Sequence, residues 1–365
     1  MWLDPLLPLA PLLDPVLDPL VVRLGHAAIG VLRGPPLRAR HAAIRERALE
    51  TMAERRSTEV APSIEGVRAH EPEAIARFDA LVAAAVDELR GEAEARVAVG
   101  TYARLVHAVD CAMVADAPEW LDDPSFDAAL RVRTLDRLDR MNELLGSYDA
   151  FFAVLAPIVE RARASGVARP LIVDLASGHA MFAVRMALRF GAREGLARVV
   201  ATDLRPEYLE LGRAEARRLG MGADAIDFLA QDALDLHALP ARLGAPVDVV
   251  CCTQSVHHFA PGLVARMLGE ATAIARHAAV IIDGERNLFA LGLVALASGL
   301  LGRGNVPFAH DALVSLRRMY TEQELALIAR LAPGVGRVGL EHTRGWKAPG
   351  HAWVAARGAA EPPLP

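Results

Sequence analysis

Apolar residues recur at intervals of three and four through the first half of the chain, as at Ile75, Phe78, Leu81, Val82 and Val86, and again at Leu135, Leu138, Met141 and Leu144. An α-helix needs that period to turn one face to a core, so residues 36–168 read as an all-helical N-terminal region. Pro118 and the stretch Trp120-Leu-Asp-Asp-Pro124 interrupt it, and Ser125 is placed to cap the helix that follows. The pattern changes at Pro170. Short apolar runs at Leu171 to Asp174, Val199 to Asp203, Ile226 to Leu229, Val247 to Cys252 and Ala279 to Asp283 read as strands separated by amphipathic segments, one of which opens at Pro206 and stops at Gly220. This alternation predicts right-handed β-α-β units, hence an α/β fold with a doubly wound, mostly parallel sheet covered by helices on both faces. Thr321 and Glu324 form a capping box for a helix ending near Leu331. Arg337 to His342 and His351 to Ala356 then follow with a short Gly/Pro loop between them and no room for a crossover helix, so they are expected to pair as a C-terminal antiparallel hairpin.

Composition narrows the function classes. The 45 acidic and 40 basic residues leave a formal charge of -5, and no long basic run stands free of interleaved acids, which argues against nucleic acid as a partner. The three cysteines, Cys111, Cys251 and Cys252, form no Cys-x-x-Cys pair, and no histidine spacing typical of zinc accompanies them. No metal is therefore expected, and a reducing, cytoplasmic setting is. Residues 1–35 form an apolar arm with three Leu-Asp-Pro units; its prolines and aspartates forbid a spanning helix, and it lacks the basic start of a signal peptide. Packing of the arm on the chain's own helices is the expected outcome, with a lipid surface or a partner subunit as alternatives.

Candidate chemistry gathers at the predicted strand ends. Leu171-Ile-Val-Asp-Leu-Ala-Ser-Gly-His-Ala180 is a buried strand running into a turn of small residues and then a helix, the kind of turn at which backbone N–H groups approach a ligand. Asp203 ends the second strand in VVATD, where a carboxylate can accept both ribose hydroxyls of an adenosine. Phe228-Leu-Ala-Gln-Asp-Ala233 ends the third strand, and Asp248-Val-Val-Cys-Cys-Thr-Gln-Ser-Val-His-His-Phe259 carries the fourth into a turn at the carboxyl edge of the sheet. Each element alone has a plainer explanation. The small-residue turn suits an NAD site or a bare strand-to-helix connection, and Asp232 suits a solvated loop acid or helix cap.

Together the four elements, over Leu171 to Phe259, resemble the class I S-adenosylmethionine-dependent methyltransferases of Rossmann-like fold, in particular a bacterial group acting on small molecules. The first matches that family's acidic residue followed by three alternate glycines, with Asp174 as the acid and Gly178 as the middle glycine; Ala176 and Ala180 depart from it. The resemblance implies S-adenosyl-L-methionine as cofactor, held by Asp174, Ala176, Ser177, Gly178, Asp203, Leu204, Asp232, Ala233, Thr253 and Gln254, with Asp232 and Ala233 at the adenine and Thr253, Gln254 and Ser255 beside the methionine moiety. His257 and His258 would face the acceptor. Either could serve as base where the acceptor loses a proton, since imidazole titrates near neutrality; the alternative reading has one ordering the turn and the other packing under the helix opening at Pro261.

The apolar segment Leu288 to Leu301 is shorter than the roughly 20 residues that span a bilayer, and its place after the fifth strand suggests a helical lid over an apolar acceptor site, at about residues 287–319. A buried helix and a membrane-surface contact are the other readings. Ser315-Leu-Arg-Arg-Met-Tyr320 resembles the same bacterial group, in which setting Arg317, Arg318 and Tyr320 would touch the acceptor; a surface salt bridge for one arginine is the plainer expectation. The chain thus divides into an arm (1–35), a helical region (36–168) and a methyltransferase domain (169–360). The expected activity is methyl transfer to a small, apolar or aromatic acceptor, with a homodimer through the N-terminal helices left open. An NAD-dependent oxidoreductase would share Asp203 but leave Asp232 and the His-His turn without a purpose. A noncatalytic partner subunit with the same fold is the third reading.

Overall fold

The computed structural model describes residues 36–93, 111–115, 117–193, 195–222, 224–286, 306–342 and 350–357. The Leu-Asp-Pro arm and the apolar segment 288–301 lie outside the described residues. Two long helices, α1 (Pro36–Arg68) and α2 (Pro72–Glu88), come first, and a 3-10 turn at Trp120–Asp122 leads into α3 (Ala128–Leu145) and α4 (Ser147–Ala164). The α/β part then runs β1 (Leu171–Leu175), α5 (Met181–Met186), β2 (Arg198–Asp203), α6 (Pro206–Arg218), β3 (Ile226–Ala230), α7 (Leu239–Leu243), β4 (Val247–Thr253), α8 (Pro261–Ile274) and β5 (Ala275–Gly284). It closes with α9 (Val306–Arg318), α10 (Glu322–Leu331), β6 (Val335–His342) and β7 (Gly350–Arg357).

The seven strands form one sheet in the order β3-β2-β1-β4-β5-β7-β6. β1 to β5 are parallel, and β7 pairs antiparallel with both β5 and β6. Side chains alternate between two cores, as a strand's period of two requires. Leu171, Val173, Leu175, Val250, Cys252 and Ile281 face one layer, while Ile172, Val199, Ala201, Val249, Cys251 and Ile282 face the other. Burial on both sides explains why these strands read as unbroken apolar runs.

The helical N-terminal region takes part in both layers. Leu49, Met52, Val60, Phe78, Val82 and Val86 of α1 and α2 share the first core with α8 and α10. Phe151, Leu155 and Ile158 of α4 share the second with Phe182, Met186 and Leu209. Arg266 of α8 grips Asp79 of α2 through two hydrogen bonds of 3.0 and 3.1 Å, and a Cβ at Gly262 would lie 2.4 Å from the Asp79 backbone, so the two helices meet at a position where only glycine fits.

The capping box at Thr321 and Glu324 forms as expected. The cap expected at Ser125 does not. Its amide and hydroxyl both donate to Asp123, which spends the hydroxyl in a turn, and Asp127 caps α3 instead by accepting from the Leu130 amide at 2.7 Å. No described helix is long and apolar enough to cross a membrane.

Candidate active site

The turn after β1 is built from left-handed residues at alternate positions. Ala176, Gly178 and Ala180 have φ of 47°, 55° and 58°. The backbone therefore takes a path that suits glycine at all three sites, although two carry alanine. The turn is stitched to β2: the Ser177 amide and hydroxyl donate to the Thr202 carbonyl at 2.9 and 3.0 Å, and the Gly178 amide donates to Asp203 Oδ2 at 2.8 Å. Asp203 Oδ1 accepts from the Arg205 amide at 2.9 Å. Each carboxylate oxygen thus holds one backbone donor and keeps capacity for another. Burial pushes the Asp203 carboxyl above its ordinary range, against the pull of these two amides. A Cβ built on Gly178 meets nothing within 4 Å, so open space adjoins the turn where a ligand would approach.

Asp174 lies at the end of β1, fully buried, with the Cys251 thiol donating to its Oδ1 at 3.5 Å. Burial raises it to about 7. Leu204, directly after Asp203, is 70% exposed, an apolar side chain left open at the sheet edge. Asp232 is exposed and accepts from the Leu234 amide at 2.9 Å, the geometry of a turn-capping acid, while Ala233 is buried in the core. The residue that joins this strand end to its neighbour is Gln231, whose amide donates to the Asp203 carbonyl at 3.0 Å.

The turn after β4 is held from three sides. Ser255 Oγ donates to the carbonyls of Ala176 and Thr253. Gln254, at φ 52°, donates its amide to Ile282 in β5. Its side chain makes a reciprocal amide pair with Asn142 of α3 at 2.8 and 3.0 Å. The half-buried Thr253 ends the strand.

His257 and His258 follow in a single 3-10 turn. His257 is buried; its amide donates to Asp283 and its Nδ1 lies 3.0 Å from both Asp283 oxygens. Burial alone would raise Asp283, but the neighbouring His257 holds it below its usual value. His258 has its Nδ1 3.4 Å from Asp122 Oδ2. Its own burial works to lower its pKa, and Asp122 and Glu119 outweigh that and raise it. The Nε2 atoms of the two rings lie 3.8 and 3.9 Å from the same oxygen, Glu119 Oε1, which also accepts from Ser315 Oγ at 2.6 Å.

Glu119 is carried by a segment strapped across this end of the sheet. Asp311 of α9 accepts from the amides of Trp120 and Leu121 at 2.8 and 3.1 Å, Trp120 stacks on His310, and Tyr208 of α6 and Arg205 just before that helix donate to the carbonyls of Leu121 and Asp122. The three residues expected at the acceptor make the following contacts. Arg317 Nε donates to the Met113 carbonyl, Arg318 bonds Asp122 and the His258 carbonyl, and Tyr320 donates its hydroxyl to the Phe259 carbonyl at 2.6 Å. Arg318 and Tyr320 thereby brace the His-His turn from behind.

Sequence reasoning missed Glu119, Asp122, Asn142 and His179. His179 stands inside the first turn with a buried Nε2 that has no hydrogen-bond partner among the described residues, and burial pushes its imidazole down to about 4. Its place beside Gly178 was the available signal. Glu119, Asp122 and Asn142 carried none, because their partners lie more than a hundred residues away.

Residues 172–277 match the family model of a methyltransferase domain. No protein of curated function matches the chain. Among solved structures the chain is similar to the S-adenosylmethionine-dependent methyltransferase SibL in its apo form, at 17% identity over 78% of this chain and 74% of that one, with a TM-score of 0.45. It is also similar to the plantazolicin methyltransferase BamL, at 12% identity over 69% and 98% of the two chains and a TM-score of 0.45. For the magnesium protoporphyrin IX methyltransferase of Synechocystis PCC 6803 the figures are 16%, 57%, 84% and 0.38. By that family model, residues 172–277 form a methyltransferase domain.

Proposed function

We propose that this chain transfers a methyl group to a small, apolar or aromatic acceptor at the carboxyl edge of the sheet, on the side of Asp203 and the Glu119, His257 and His258 cluster. The observation that carries the reading is the buried Asp203 carboxylate, bonded to the Gly178 amide beside open space at the turn. In this reading Asp203 takes the ribose hydroxyls, Leu204 lies along the adenine with Asp232 and Ala233 at its edge, and Asp174, Ala176, Ser177, Gly178, Thr253 and Gln254 line the rest of the cofactor site. Bound S-adenosylmethionine supplies an electrophilic methyl group on a sulfonium. The protein's task is then to align the acceptor's nucleophile with that methyl group and keep water from the cation.

His257 and His258 are the groups assigned to the acceptor's proton, with Asp283 and Asp122 orienting their rings. Arg317, Arg318 and Tyr320 support that side from a second layer. The domain is read as extending over 169–360, after the helical region of 36–168; of the lid expected at about 287–319, only α9 lies among the described residues.

Calorimetric titration with S-adenosylhomocysteine and with NADH tests this. Binding of the first and not the second supports the reading; the reverse would make the chain an oxidoreductase. Mass spectrometry of ligands retained on the purified protein then reports the acceptor, and binding without turnover on the acceptor so found would leave a noncatalytic subunit.

A further inference from the structure

Glu119, His257 and His258 are 138 and 139 positions apart in sequence yet bring one ligand atom each to within 4.8 Å of one another. The two Nε2 to Glu119 Oε1 separations, 3.8 and 3.9 Å, fit neither of the usual polar contacts. A direct hydrogen bond closes to about 2.7–3.2 Å, and two groups bridged by one tetrahedral water stand about 4.5 Å apart. Two atoms on one metal ion at about 2.1 Å are separated by roughly 3.0–3.4 Å, which a shift of a few tenths of an ångström in each side chain would reach here.

Orientation points the same way. His257 turns Nδ1 to Asp283 and His258 turns Nδ1 to Asp122, so both rings aim Nε2 at Glu119. An imidazole whose Nδ1–H is held by a carboxylate, as that of His257 is by Asp283, presents a lone pair at Nε2, the arrangement found behind metal-ligating histidines; Asp122 stands 3.4 Å from His258 Nδ1 as an ion-pair contact. Three acceptor atoms then converge, and the one donor on them is the Ser315 hydroxyl at 2.6 Å from Glu119 Oε1, which leaves that oxygen a further lone pair. Charge agrees: the groups touching the cluster are the carboxylates of Glu119, Asp122 and Asp283 against the single guanidinium of Arg318. A dication would leave these charges near balance.

We propose that His257 Nε2, His258 Nε2 and Glu119 Oε1 form a binding site for a divalent first-row transition metal ion, open on the side that faces the acceptor. Two nitrogens and one carboxylate favour zinc, iron, cobalt or nickel over magnesium or calcium. Three protein ligands leave coordination positions for an acceptor oxygen, whose proton a metal makes easier to lose. The inference rests on the reading of the two histidines as the acceptor-side groups, and specifies how they act.

The test uses the purified full chain, stripped with a chelator, and titrates Zn2+ against a chromogenic chelator and Co2+ by its visible absorption. One ion per chain is expected. Glu119→Gln and His258→Ala should each weaken binding at least about tenfold, and Asp283→Asn about 10–100-fold through the orientation of His257. Thermal melting and S-adenosylhomocysteine titration of each variant verify that it is folded. If the wild-type protein takes up neither ion, imidazolium groups neutralise the carboxylates and the proposal fails. It fails equally if His258→Ala and Glu119→Gln bind as the wild type does. S-adenosylhomocysteine binding without metal uptake overturns this site alone, whereas metal uptake without S-adenosylhomocysteine binding upholds the site and overturns the methyltransferase reading.

Discussion

Replacing Ala176 and Ala180 by glycine, one at a time, probes the turn after β1 directly. Both residues sit in the left-handed region, at φ 47° and 58°. For a residue with a Cβ that conformation costs about 1–2 kcal/mol. Glycine removes the cost but gives up about 0.5–1 kcal/mol of chain entropy on folding. At Ala176, half-buried at the edge of the core, the balance favours Ala176→Gly by about 0.5–1 kcal/mol. At Ala180 the methyl group is fully buried and occupies the space beside Gly212, where a second Cβ would come within 2.7 Å of it. Its removal forfeits a further ~0.8 kcal/mol of burial, so Ala180→Gly should be neutral or slightly destabilising. Urea denaturation at constant m resolves the difference of about 1 kcal/mol between the two variants. A destabilised Ala176→Gly would refute the argument that backbone conformation sets the energy at that position, and a gain at 180 larger than at 176 would refute the argument that the buried methyl group offsets it there.

Other expectations follow from neighbouring contacts. Gly212→Ala should cost about 1–3 kcal/mol in denaturation experiments, because its Cβ would lie 2.7, 2.9 and 3.0 Å from Ala180, Phe228 and the His179 carbonyl. Glu324 is buried against Arg90 and Arg286; Glu324→Ala should cost up to about 3–5 kcal/mol by removing the carboxylate that pairs with the buried Arg286 guanidinium, read from the shift in denaturation midpoint. Burial opposes the depression of the Glu324 carboxyl, but Arg286 and Arg90 hold it below 4.5. Its contribution is therefore complete above that pH and lost as pH falls through the lower folded value, a loss that a Glu324→Gln variant should not show. Asp174 has the opposite sign. With its pKa raised from 3.8 to about 7 by burial, it destabilises the fold progressively as pH rises between those values. Asp174→Asn should gain stability relative to the wild type on going from pH 5 to pH 8, and an unchanged difference would remove the buried-acid explanation.

The sheet was legible because β1, β2, β4 and β5 bury residues on both faces, which makes them apolar runs between amphipathic helices. The helix starts at Pro206 and Thr321 were legible because their signals are local. Ser125 misled because a hydroxyl two residues after an aspartate can serve a turn as readily as a cap, and here Asp123 takes it. In the site, Asp203 and the His-His turn announced themselves through their place at strand ends. Arg317, Arg318 and Tyr320 carried no such sign of direction, and the fold turns them to backbone carbonyls. Glu119, brought in by a segment tied to α9, has meaning only after folding, since its partners are fixed by tertiary contacts and not by spacing.

The central claim is that the Asp203 carboxylate receives the adenosyl ribose. Isothermal titration of S-adenosylhomocysteine into the wild type and into Asp203→Asn, with circular dichroism to verify the fold, tests it most directly. One site per chain is expected, weakened about 10–100-fold by the substitution, the worth of hydrogen bonds to a charged acceptor. Equal affinity in the two proteins would contradict the account.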